Sequence, residues 1–343
     1  MLNIIAKLKN QELISEDDAY EMQKNIISGK VDSDSIIEIF KNLPVEKISS
    51  QILLGIVRAT REVMGKIDVD FDCLDTCSTG GDKIDTFNIS TIVALICATA
   101  GISVAKHGNR ASSSKCGGAD ILESLGVKID LDKNKTKKCL EEIGFAFCFA
   151  PIFHPALKYV KESRINFGQM TYFNILGPML NPAQAPFQLI GVTNISRNLI
   201  QLIGETLIKT GSKKIIIVSG EDGLNEISIS GKSFVYSFFR DEEEKIKFIE
   251  EKISPNDFGL NIFPLSEIEG GDPEVNKKIF LDIVNNRATE AQKSIVVLNT
   301  AFAMLSCMHV RSVEEGIDLA NGVLVSGKVV SKLKDLVDIS NKL

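Results

Sequence analysis

The chain has 343 residues and carries 45 Asp plus Glu against 39 Lys plus Arg, a formal net charge of −6. At roughly 150 residues per domain the length suggests about two domains, and 44% hydrophobic with 24% charged residues is the balance of a protein with a sizeable core. The acidic excess argues against a nucleic-acid partner, which asks for a basic face, but it leaves small anionic ligands open because they respond to local charge.

The longest apolar run, 92–105, is broken by Thr99, Gly101 and Ser103. It falls short of the roughly 18–20 residues that cross a bilayer. Residues 1–10 lack the apolar stretch of a secretory signal. We therefore expect no membrane partner and a cytoplasmic location. Seven cysteines, an odd number without C-x-x-C, read as reduced thiols, not as a disulfide framework or a zinc ribbon.

Residues 1–67 read as helices. Ser15 followed by Asp18 forms a capping-box pattern, Ser33 is placed to cap a short helix before Pro44, and 50–64 has helical spacing. From Phe71 the texture changes: strand-like 73–76 (CLDT), a turn at 78–82 (STGGD), helix 88–100, strand 102–106, helix 117–125, a helix capped by Asp132, and strand 145–149. Residues 214–219 (KIIIVS) read as a buried strand. Residues 226–230 and 232–238 read as a hairpin across Gly231, and the run 240–245 (RDEEEK) as a solvated turn or helix start. Helices 276–286 and 289–310 and two more complete the chain. The segment 164–182 (RINFGQMTYFNILGPMLNP) is irregular and suited to leave the α/β layer. The expectation is an α/β protein: a small N-terminal helical domain, 1–67, to which 164–183 returns, and a larger α/β domain, 68–163 with 184–343, whose mixed central sheet is flanked by helices.

Two segments concentrate chemistry. In 75–91 (DTCSTGGDKIDTFNIST) a strand enters a glycine turn and a helix starts near Asn88. Glycines let backbone N–H groups approach an anion, and a helix N-terminus offers free N–H groups. The P-loop spacing is absent. In 106–114 (KHGNRASSS), Lys106, His107 and Arg110 gather positive charge in an acidic chain, with Asn109 and the serines as neutral partners.

These segments, with 117–127 (GGADILESLGV), 149–155 (FAPIFHP), 173–182 (FNILGPMLNP) and 222–228 (DGLNEIS), resemble the anthranilate phosphoribosyltransferase family, in order and over most of the chain. The resemblance implies transfer of phosphoribosyl from phosphoribosyl pyrophosphate to anthranilate in tryptophan synthesis, and a homodimer. It implies that Ser78, Gly81, Asp82, Thr86, Asn88, Ile89, Ser90 and Thr91 hold the pyrophosphate and ribose, that Lys106, His107, Gly108, Asn109, Arg110, Ala111, Ser112, Ser113 and Ser114 wrap the same substrate, and that Gly118 adds a contact. Asn109 and Arg164 would contact anthranilate, Arg164 through the carboxylate, with Ser78, His107, His154 and Pro178 lining the acceptor channel. Ser90, Asn225 and Glu226 would bind up to two magnesium ions. Lys106 and magnesium would stabilise the leaving group, and no general base is named.

The pattern departs from the family at three positions. Ser78 stands at a usual loop glycine, Lys83 replaces another, and Asn225 replaces an aspartate. An amide oxygen is a weaker ligand for a hard cation, which puts the second magnesium in question. The S-T-G-G turn with its nearby Asp-Lys also resembles pyrimidine nucleoside phosphorylases, a reading that leaves KHGNRA and Arg164 without a role. An aromatic acceptor other than anthranilate is the remaining alternative.

Overall fold

The computed structural model describes residues 2–81, 84–111, 114–193 and 195–343. Four helices open the chain: α1 (Leu2–Lys9), α2 (Glu16–Ile27), α3 (Ser33–Asn42) and α4 (Ser50–Val63). Ser15 and Asp18 form the expected capping box on α2. The cap of α3 is Asp32, not Ser33: its carboxylate accepts the Ser35 N–H and so satisfies a free helix-end donor.

Strands and helices then alternate. β1 (Leu74–Ser78), α5 (Ile89–Thr99), β2 (Val104–Gly108), α6 (Gly118–Ser124), α7 (Lys133–Ile143) and β3 (Phe145–Phe149) are followed by α8 (Ala150–Phe153) and α9 (Lys158–Phe167). The start of 164–182 is thus the end of α9, and the irregular part follows it. Next come β4 (Phe187–Gly191), α10 (Arg197–Lys209), β5 (Lys214–Gly220), β6 (Ser233–Arg240) and β7 (Ile246–Ile253). The chain closes with α11 (Pro273–Val284), α12 (Glu290–Ser306), α13 (Val313–Val325) and α14 (Lys328–Lys342).

The sheet is mixed, in the order β3-β2-β1-β4-β5-β6-β7, with the first five strands parallel and the last two antiparallel. The hairpin expected across Gly231 does not form. Asn299 of α12 bonds both the N–H and the C=O of Ile227, which meets that residue's backbone needs outside any sheet. The hairpin is instead β6–β7, closed by the acidic run, where the Asp241 carboxylate accepts the N–H groups of Glu243 and Lys245.

Alternation along β5 assigns the two faces. Ile216 and Val218 point into the core made with α5, α12 and α13, and Ile215 and Ile217 into the core made with α2, α4 and α10. Tyr172, Phe173, Leu176 and Met179 belong to this second core. There the Tyr172 hydroxyl donates to Gln23, whose amide in turn donates to Thr60.

One topological fact places the site. The chain builds outward from β1 to β3, then returns to lay β4 on the other side of β1. Loops leaving β1 and β4 therefore diverge at their C-terminal ends, and such a switch point leaves a crevice.

Candidate functional site

A cleft of about 270 Å³ opens at that switch point, lined by residues 77–81, 84, 86–90, 106–111, 114, 116–118, 225 and 226. Ser78 ends β1 opposite Gly191 of β4, so the extended backbone accepts a serine there without penalty. The left-handed positions are the next glycines, Gly80 (φ 67) and Gly81 (φ 88), and among the described residues nothing stands within 4 Å of where a Cβ would be on either. Asn88 precedes α5 but does not cap it; its amide donates instead to the Cys116 carbonyl at 2.9 Å. Among the described residues, the buried hydroxyls of Thr79 and Thr91 have no hydrogen-bond partner. Thr79 lies in the open glycine turn that lines the cleft and suits an incoming phosphate, whereas Thr91 is 1% exposed and does not line it.

The loop after β2 is closed by its own residues. Asp120 accepts the N–H groups of Ala111 and Gly117 through one oxygen. A Cβ on Gly117 would stand 2.3 Å from Ala111 N. Arg110 lies along the rim, its guanidinium paired with Asp120 and Glu123 and placed over the Phe149 ring. Asn109 accepts the Arg110 N–H through its side-chain oxygen, and Ser114 lines the cleft.

Lys106 lies at the floor. Its ammonium donates to the Thr76 carbonyl and to Ser90 Oγ at 3.1 Å. Burial draws its pKa down, opposed by the charges of Asp75, Cys77 and Glu226. Asp75 is itself fully buried, and burial raises its pKa against Lys106, the Asn181 amide and the His107 N–H. Asp75 accepts from both of these donors, at 2.8 and 3.0 Å. Ser90, Asn225 and Glu226 face one another across the cleft and its small inner extension. One carboxylate with a hydroxyl and an amide oxygen fits magnesium, which takes few protein ligands and completes its shell with phosphate oxygens and water.

The other side of the cleft is an ordered wall. His107 and His154 meet through their Nε2 atoms at 3.1 Å. Burial holds His107 at about 3, helped by His154 and Lys106, and holds His154 at about 4. Both rings are thus neutral at ordinary pH. His107 Nδ1 bonds the Gly177 carbonyl at 3.2 Å, Gln188 donates to the Pro178 carbonyl and Arg61 to the Met179 carbonyl, each at 2.8 Å. Asn181 follows, donating to Asp75 and to the Ala105 carbonyl. Three consecutive carbonyls are thereby held by side chains from β2, β4 and α4. Arg61 also donates to the Thr210 carbonyl at the end of α10, whose negative dipole end faces its charge.

Most of the expected residues therefore converge on the cleft or its wall. Arg164 does not line the cleft: it sits on α9 over the Phe173 ring, 5.7 Å from the centroid, with burial lowering its pKa. Asp82, Lys83, Ser112 and Ser113 lie outside the described residues. The bracing residues Asp75, Asn181, Gln188 and Arg61 carry no assignment from sequence. Asn181 had a signal in its Asn-Pro dipeptide, and Gln188 had none because the strand holding it was not recognised. All seven cysteines are free, as expected.

A glycine cradle at the switch point of a largely parallel sheet, lined also by Ser90, Asn225 and Glu226, fits a phosphorylated ligand. The family model described as "Glycosyl transferase family, a/b domain" matches residues 70–330. The chain is 38% identical over 340 residues to the anthranilate phosphoribosyltransferase of Petrotoga mobilis, covering 99% of this chain and 96% of that protein. Among solved structures, the enzyme of that name from Thermus thermophilus superposes with a TM-score of 0.89 at 31% identity, covering 98% and 99% of the two chains. The Saccharomyces cerevisiae enzyme, in complex with PRPP and Mg, gives 0.89 at 26% identity, covering 100% and 98%. The chain belongs to the anthranilate phosphoribosyltransferase family.

Proposed function

We propose that this chain transfers the phosphoribosyl group of phosphoribosyl pyrophosphate to the amino group of anthranilate. The ribose C1–oxygen bond to pyrophosphate breaks, a C1–nitrogen bond forms, and the amine releases a proton. The observation that carries this reading is the meeting, at one cleft, of an open anion cradle and the neutral His107, behind which His154 is buried. The cradle suits a pyrophosphate; the wall suits a flat aromatic acceptor. The aryl amine is already nucleophilic, so positioning contributes more than base catalysis. Ser90 and Glu226, with Asn225 beside them, would hold magnesium, which would supply positive charge to the leaving pyrophosphate. Lys106 adds a second positive charge at the same floor. Arg164 takes the acceptor's carboxylate; its half-buried guanidinium has a ring, and among the described residues no carboxylate, as its neighbour.

The reading includes the division of the chain into 1–67 with 164–183, and 68–163 with 184–343. The core that joins α1–α4 to Tyr172–Leu180 supports the return of 164–183 to the helices, and the same core also packs against Ile190, Ile203, Ile215 and Phe238 of the larger unit. A homodimer and a cytoplasmic location belong to the same proposal; among the described residues no helix is long and apolar enough to cross a membrane.

The test mixes folded protein, phosphoribosyl pyrophosphate, magnesium and anthranilate and follows the loss of anthranilate fluorescence. No consumption above the enzyme-free control overturns the reading, and phosphorolysis of uridine in its place points to a nucleoside phosphorylase. Arg164→Ala should raise the anthranilate KM far more than that of phosphoribosyl pyrophosphate. An equal rise in both contradicts its role.

A further inference from the structure

The two loops of the cradle leave different strands, and their spacing depends on a brace outside the cleft. The Asn88 side chain donates to the Cys116 carbonyl in the second loop at 2.9 Å and accepts, through Oδ1, from Asn276 Nδ2 at 3.0 Å. Asn276 lies in the first turns of α11, is only 2% exposed and does not line the cleft. Its Oδ1 accepts the Gly271 N–H at 2.7 Å. The Gly271 N–H needs an oxygen, so the Asn276 nitrogen must face Asn88; Asn88 must then present its oxygen there and its nitrogen to Cys116. The relay therefore has one direction, from a backbone donor at 271 to a backbone acceptor at 116.

The segment before α11 is docked on the same loop. Glu269 bridges Thr86 in antiparallel fashion, and the Gly270 N–H donates to the Asp85 carbonyl at 2.8 Å. A Cβ on Gly270 would stand 2.5 Å from Phe87 N and 2.7 Å from Asn276 Oδ1, so only glycine permits this approach. Lys115 and Asp85 pair across the two loops at the rim, 3.1 Å apart.

We propose that Asn276 is a positioning residue for phosphoribosyl pyrophosphate: through the Asn88 amide it sets the separation of the two loops that hold the substrate. The proposal rests on the functional reading above. It also assigns Asn88 a bracing side chain, leaving its contact with substrate to the backbone.

Asn276→Asp separates this role from helix capping. An aspartate keeps the acceptor for Gly271 and loses the donor to Asn88. Calorimetric titration of the full chain with phosphoribosyl pyrophosphate and magnesium should show Kd about tenfold weaker, the scale of one buried hydrogen bond with its partner left unpaired. Asn276→Ala, which adds no charge, should show a similar rise, and it replaces the aspartate variant if that one does not fold. In both, the anthranilate KM should stay within twofold of the parent. In an Asn88→Ala background either substitution should add little, because the effect passes through Asn88. Unchanged affinity, an equal rise for both substrates, or full additivity with Asn88→Ala overturns the proposal. A parent chain that does not bind phosphoribosyl pyrophosphate removes the functional reading itself, a result distinct from all three.

Discussion

The two sides of the cleft follow opposite plans. On the cradle side, glycines at φ 67 and 88 border open space, and the Thr79 hydroxyl has no partner among the described residues. On the wall side, the carbonyls of residues 177–179 are each held by a side chain, and Asn181 bonds both Asp75 and the Ala105 carbonyl, while the buried Gln188 Oε1 has no partner among the described residues. The difference matches the ligands. A pyrophosphate brings many acceptor oxygens and rewards donors left unused. A flat aromatic acid brings few polar atoms, which suits a wall whose backbone carbonyls are already bonded.

The largest break in this contrast comes from two glycine variants of unlike mechanism. A Cβ on Gly191 would stand 1.6 Å from the Asn225 carbonyl oxygen, against backbone that cannot rotate away. Gly191→Ala must shift the 225–226 segment, at a cost of about 3 kcal/mol or more if the overpacking scale of core sites applies. The magnesium dependence of substrate binding should collapse with it. Gly81→Ala meets no atom of the described residues within 4 Å and answers for its φ of 88, about 1 kcal/mol. Thermal melting with a magnesium titration checks both, and comparable effects would show that close packing does not govern the metal segment.

Next in size is Lys106→Met. The ammonium sits on the cradle floor, while Asp75 retains its bonds from His107 and Asn181 on the wall side. We expect kcat to fall by about 10²–10³-fold, the scale of losing one preorganised charge-stabilising group. Melting should shift proportionately less. A variant that loses fold and activity together would mean that Lys106 chiefly compensates Asp75, and the two sides would then be one electrostatic unit.

The cradle was legible in the sequence because its signals are contiguous: glycines and a helix start within 78–91, and Lys106, His107 and Arg110 within five residues of one another in 106–114. Capping boxes and strand–helix alternation gave the fold class for the same reason. The wall was not legible. Its bracing groups come from Arg61, Gln188 and Asn181, spread over more than a hundred positions, and no periodicity links them. β4 escaped notice because five residues of a parallel interior strand look like any apolar run, although its end, Gly191, faces Ser78 at the centre of the site. The false hairpin at Gly231 arose from a segment with strand-like residues whose backbone is claimed elsewhere: Ile227 by Asn299, Ser228 N–H by Ser233 and the Ile229 carbonyl by Phe263 N–H.

The smallest effect separates the two sides by pH. His107 and His154, on the wall, are held at about 3 and about 4, against 6.5 in an unfolded chain. Between these values the unfolded chain binds protons that the folded one refuses, so stability rises with pH across the window. The contribution is complete above about 6.5 and is lost as the pH falls toward 4, at no more than about 1.4 kcal/mol per histidine per pH unit. The charge of Lys106 also holds His107 down, and the Asp75 carboxylate accepts the His107 N–H. His154→Gln should lower stability at pH 7.5, because the bond to His107 is lost, yet it should lose less than the parent between pH 7.5 and 5. Urea unfolding at the two pH values measures the difference, which should reach about 1–2 kcal/mol. Parallel losses in both proteins would mean that His154 takes up its proton inside the fold, and the wall would then be a charged surface in acid, closer in character to the cradle it faces.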